Sequence, residues 1–117
     1  MTSSNPVRWD RTLYRGTDHE WTLRRVDSAG TPEIPTAAQA QIRPYFAGPV
    51  WIECAVDIDD VDGWVNITIP KAQTEDDDDW ATRVSGVWDL EVDSAGRTSR
   101  WVQGTVAVSQ DVTRELP

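Results

Sequence analysis

The sequence has one cysteine, Cys54, and one histidine, His19. A lone cysteine forms no internal disulfide, so the fold must rest on its core, and a chain this poor in cysteine suits a reducing compartment. With one of each, no Cys/His set has zinc spacing. A nucleophile–base pair would need His19 and Cys54 in the same cleft. Cys54 falls on the apolar face of its strand, where a free thiol behaves as a small hydrophobe. His19, flanked by Asp18 and Glu20, reads as a solvated turn residue. The glycines are isolated, so no phosphate-cradling loop is present. An enzyme is therefore not expected, and neither is a cofactor.

Basic charge is also scarce. The chain carries 11 Lys and Arg against 20 Asp and Glu, a net charge of −9. Nucleic acid would be repelled from most of such a surface. The one basic cluster, Arg24-Arg25, reads as exposed strand positions. No apolar run approaches the roughly 20 residues a membrane span needs, and residues 1–6 lack the basic-then-apolar order of a secretory signal.

What the chain has is tryptophan, seven of its 117 residues, set in short runs where apolar and polar residues alternate. The alternation predicts strands near 8–15, 20–26, 39–43, 50–58, 63–69, 84–92 and 100–109. The fold class read from this is all-β: an antiparallel two-sheet β-sandwich, Ig-like, of about seven strands with one short helical crossover. The whole chain is expected to be a single domain with flexible arms at 1–6 and 112–117.

Val50, Ile52, Cys54, Val56 and Ile58 should share one face of their strand, and Val65, Ile67 and Ile69 one face of the next. The turn-rich link 59–62 makes these two an antiparallel hairpin. A second hairpin joins Trp88, Leu90 and Val92 to Val102, Val106 and Val108 through a turn at Asp93-Ser94-Ala95-Gly96. Its register is open. Val92 opposite Thr98 keeps the valines inward, Val92 opposite Arg97 sets Trp101 against Trp88, and a bulge near Gly104 reconciles the two. The same tetrapeptide occurs earlier as Asp27-Ser28-Ala29-Gly30. Residues 73–79 predict one acidic helical turn in a crossover. The acidic run 75–79 and the segment 57–63 do not match a calcium loop and read as solvated; whether 75–79 holds a cation is left open by the spacing. Asn66-Ile67-Thr68 fits a glycosylation pattern but lies within a strand.

Trp21 and Trp88 fall at core positions, while Trp80 and Trp101 fit either face. Trp51 and Trp64 lie on polar faces, beside Glu53 and Asn66. These four, Trp51, Trp64, Glu53 and Asn66, are the candidate binding residues, as a protein interface or a glycan face, because tryptophan anchors interfaces and stacks on sugar rings.

The order of motifs adds a resemblance. Tyr14-Arg15-Gly16-Thr17-Asp18 precedes Trp21-Thr22-Leu23 and the Asp27–Pro32 turn. Ala40-Gln41-Ile42-Arg43 and Ile67-Thr68-Ile69-Pro70 follow. The chain closes on Trp88-Asp89-Leu90-Glu91-Val92, Asp93–Arg97 and Trp101–Val108. Over roughly residues 12–113 this resembles small β-sandwich proteins encoded among bacteriophage tail genes, especially in phages of high-GC actinobacteria. It is also loosely similar to the N-terminal domain of phage upper-baseplate proteins. The chain departs from that pattern in its acidic run 76–79 and its richer tryptophan content. The resemblance implies a virion structural protein made in the host cytoplasm. It would be a minor tail or tail-tip subunit whose partners are other virion proteins or further copies of itself, without membrane insertion. A glycan-binding module at the host surface and a capsid-decorating protein are the alternatives.

Overall fold

The computed structural model describes residues 6–75 and 78–110. Among the described residues there are eight strands: β1 (Val7–Arg8), β2 (Arg11–Tyr14), β3 (His19–Leu23), β4 (Ala37–Arg43), β5 (Ile52–Ile58), β6 (Val65–Ile69), β7 (Ser85–Ser94) and β8 (Arg97–Ser109). The all-β class follows directly. Each predicted strand has a counterpart within a few residues, the first split into β1 and β2. The strands lie on one hydrogen-bonded path, β1-β8-β7-β4-β5-β6-β3, with β2 also on β8. This path curls into a half-barrel; pairing alone does not divide it into two facing sheets.

The expectation of purely antiparallel pairing needs correction. β1 and β2 run parallel to β8 in one continuous register, from Val7 opposite Val102 to Tyr14 opposite Ser109. Alternation reveals which side chains face inward but is blind to strand direction. Between the two strands, Trp9 N–H donates to the Gln103 carbonyl at 3.0 Å, and the Asp10 carboxylate accepts from Thr105 N–H at 2.9 Å. The Thr105 amide is the main cause holding the Asp10 carboxyl below its usual range.

Inside the curl, the inward faces of the strands bury Leu13, Trp21, Ile42, Ile52, Cys54, Val65, Ile67, Ile69, Trp88, Leu90, Val92 and Val106. This continuous apolar layer is the main stabilising element, at about 25 cal/mol per Å² removed from water. Trp80 and Trp101 join it, at 1% and 3% exposure. Val50 does not: it precedes β5 and is exposed. In place of the predicted acidic helical turn there are two short 3₁₀ turns, Lys71–Gln73 and Asp78–Thr82. Buried Thr74 pins the first to the β2–β3 turn, its hydroxyl accepting from Gly16 N–H at 2.7 Å. The expected arms, apart from Pro6, and the acidic residues 76 and 77 lie outside the described residues, as do the side chains of 78 and 79.

The β7–β8 hairpin takes neither expected register. Val92 faces Ser99 and Ser94 faces Arg97, so the loop is only Ala95-Gly96. Both residues have positive φ, 53° and 78°, as a type I′ turn demands. The bulge sits between Leu90 and Glu91, opposite Trp101, and Gly104 pairs normally with Trp88. The extra residue turns Trp101 and Val102 both inward and restores Arg100 and Gln103 to the outer face.

Ala95 is the strained position of that turn, since a Cβ at positive φ costs roughly 1 kcal/mol. Ala95→Asn, which suits this conformation, should raise stability by about 1 kcal/mol in urea unfolding with an unchanged m-value. An unchanged midpoint would mean that the turn carries no strain.

Candidate functional site

The four candidate residues do not converge. Trp51 and Trp64 stand at opposite ends of the β5–β6 hairpin, roughly 25 Å apart at the usual rise per residue. Trp51 is half-buried, packing edge-on against Trp80 at 5.5 Å, with the Arg83 guanidinium 4.4 Å from its ring. Trp64 is 39% exposed and covered on one side by Arg24 at 4.6 Å. Asn66 donates to Glu20 and accepts from the Thr22 hydroxyl, which engages it with β3. Glu53 turns the other way, toward β4, accepting from Gln41 at 2.6 Å.

His19 is not a solvated turn residue. It opens β3 half-buried, stacks on Tyr14 and meets Trp21 edge-on. Its Nε2 accepts from Tyr14 N–H at 3.0 Å, so the neutral imidazole links the β2 and β3 ends of the curl. Burial lowers its pKa, with Arg11 adding to the effect while the Thr17 backbone and Asp18 oppose it. Cys54 is buried as expected, and burial pushes its thiol up to about 12. His19 pairs with Ile69, and the β5–β6 register carried one rung further sets Ile69 beside Cys54. Fully buried Ile69 thus stands between the only imidazole and the only thiol. In the 57–63 segment, the Asp59 carboxylate is occupied by its own turn, accepting from Val61 and Asp62 N–H.

A base whose folded pKa lies below its unfolded value contributes stability that is complete above the unfolded pKa and is lost as pH falls from there through the folded pKa. For His19 that loss begins near pH 6.5. Unfolding free energy should therefore fall as pH drops below about 6.5, with a slope of at most about 1.4 kcal/mol per pH unit for one proton. His19→Gln should flatten that slope, and an equal slope in both proteins would show that His19 is not the group responsible.

A cavity lies on the outer face of the sheet, where sequence reasoning had marked no site. It has a volume of about 640 Å³ and is lined by Gln39, Gln41 and Arg43 of β4, Asp89 and Glu91 of β7, Arg100 and Gln103 of β8, and Phe46 and Ala47 from the β4–β5 loop. The register builds it as cross-strand rows. Glu53, Gln41, Asp89, Gln103 and Arg8 are successive partners on five strands, and Gln39, Glu91 and Arg100 form a second row. Arg100 pairs with Asp89 at 3.2 Å and Glu91 at 3.7 Å. Arg43 donates to the Gly48 carbonyl at 2.7 Å and to the Gln41 side chain, tying the loop to the sheet. Burial raises the Asp89 carboxyl above its usual range, against the pull of Arg100. The polar halves of these strands were visible in the sequence, but only the register makes neighbours of them.

Compared with known proteins, the chain matches no family model and no curated protein sequence.

Proposed function

We propose that this chain is a structural subunit of a bacteriophage virion, a minor tail or tail-tip component acting through protein–protein contacts. The order of its turn and strand motifs supports the reading. The structural observation that carries it is an open sheet edge beside an apolar cleft. Among the described residues β3 pairs only with β6, which leaves its other edge without a strand partner. Next to it, Trp9, Leu23, Trp101 and Val102 line a cleft of about 210 Å³. Trp101 is itself buried, with its indole N–H lacking an acceptor. An unpaired edge is a template for a partner strand, whose carbonyls and apolar side chains suit such a surface. The partners are neighbouring virion proteins or further copies of the chain. The fold is then an opened Ig-like sandwich, with β3, β6 and β5 as one leaf and β4, β7 and β8 as the other. Contact of Trp21 with Trp88 at 5.2 Å across the interior supports that division.

Mass spectrometry of purified particles tests the proposal. The chain should be present in mature virions at a fixed ratio to other tail proteins. Its presence in infected cells together with its absence from virions would sink the reading in favour of a non-structural role.

A further inference from the structure

We propose that the polar groove across β4, β7 and β8 binds a linear, uncharged oligosaccharide. This is independent of the assembly proposal: it concerns the sheet face and not the β3 edge, and either one stands if the other fails.

The first support is shape. Two smaller depressions adjoin the 640 Å³ cavity, each sharing lining residues with it. One, of about 230 Å³, shares Gln39 and Glu91 and continues to Asp93 and Thr98. The other, of about 110 Å³, shares Phe46 and Gln103 and continues to Arg8 and Thr105. Together they form a trough along the strands, suited to a chain of similar units more than to one compact molecule. The main cavity falls within the roughly 300–1,000 Å³ range of ligand sites.

The second support is charge. The protein is strongly acidic, at −9, yet the main cavity balances two guanidinium groups, Arg43 and Arg100, against two carboxylates, Asp89 and Glu91. A phosphorylated or sulfated ligand would want a cationic excess, and a polyamine an anionic one. Paired charges interleaved with the amides of Gln39, Gln41 and Gln103 instead offer fixed donors and acceptors side by side. Vicinal hydroxyls, each both donor and acceptor, match that array.

The third support is the rim. Phe46 is 49% exposed where the main cavity meets its smaller extension. An aromatic face beside a polar trough receives the C–H face of a pyranose. Arg43 holds the Phe46 loop to the trough through Gly48, so the platform is in place before a ligand arrives.

The test is an amide-resolved NMR titration of the intact protein with cellotetraose, maltotetraose, xylotetraose and chitotetraose, each taken to millimolar concentration. Inorganic phosphate and a heparin tetrasaccharide serve as charged controls. At least one neutral sugar should give saturable shifts confined to β4, β7, β8 and residues 45–48. Phe46→Ala and Gln103→Ala should each weaken binding about tenfold, the scale of one lost hydrogen bond or stacking contact. Trp64→Ala should leave it unchanged. Both groove substitutions are at non-core positions, and an unaltered spectrum away from the groove would verify their folding. No saturable shift from any neutral sugar, shifts centred on Trp51 or Trp64, or tighter binding of heparin or phosphate would each overturn the proposal.

Discussion

Gly104→Val should cost this protein about 3 kcal/mol or more and release its N-terminal strands from β8. Gly104 is buried in β8 opposite Trp88, and an added Cβ would lie 2.3 Å from the Trp9 carbonyl oxygen and 2.7 Å from its carbon. Those are backbone atoms of the parallel segment, and they cannot move without breaking what holds the segment in place. Three hydrogen bonds depend on the approach: Trp9 N–H to Gln103, Thr105 N–H to Asp10, and the Trp88 indole to Trp9. At about 1 kcal/mol net for each, their loss removes a large share of the 5–15 kcal/mol that typically separates folded from unfolded states. A fall in melting temperature of about 10 °C is expected, with faster hydrogen exchange along β8. Gly30→Ala is the control. Nothing lies within 4 Å of the Cβ it adds, so only its φ of +84° is penalised, at about 1 kcal/mol. If Gly104→Val proves no worse than Gly30→Ala, the close approach of Trp9 is not what fastens β1.

The identical tetrapeptides show where the sequence stops being informative. Asp27-Ser28-Ala29-Gly30 closes on itself: the Asp27 carboxylate accepts from the Ala29 and Thr31 amides, and only Gly30 takes positive φ. Asp93-Ser94-Ala95-Gly96 extends the ladder to Ser94–Arg97 and forces Ala95 over as well. The difference lies in what flanks the turns. Long antiparallel strands on both sides of the second impose a tight loop whose twist matches theirs. Periodicity, a local property, placed Ile67, Leu90 and Val106 inward correctly. Direction and register are non-local, so the parallel attachment of β1 and β2 and the bulge at Trp101 were out of reach. The same division governs the site. Trp51 and Trp64 both fall on polar faces by alternation, yet only Trp64 is exposed; Trp51 packs against the core beside Trp80, and Arg83, Trp80 and Arg24 reach the two rings from segments distant in sequence. Gln41, Asp89 and Gln103 became a trough only once three strands were set side by side.

Removing the ring that joins the ends of the curl should have an effect at least as large. Trp88 is 1% exposed, at a point where three parts of the half-barrel meet. Its own strand β7 is central to the path. Trp21, 5.2 Å away, belongs to the terminal strand β3, and Trp9, 6.0 Å away, lies beside β1 at the other end. The indole N–H donates to the Trp9 carbonyl at 2.7 Å. A barrel closes through backbone hydrogen bonds between its first and last strands; here aromatic contacts stand in that place. Trp88→Ala should therefore cost about 3–5 kcal/mol, the range for a buried tryptophan truncated to alanine. Trp88→Phe separates the two roles of the residue: it keeps an aromatic contact and loses the donor, so about 1–2 kcal/mol is expected. Trp21→Ala should couple to Trp88→Ala in a double-mutant cycle, because each substitution removes the same interior contact. Trp64→Ala, on the surface, sets the baseline. Should Trp88→Ala cost no more than Trp64→Ala, or should the cycle with Trp21 be strictly additive, the ends of the sheet are held by something other than this tryptophan cluster.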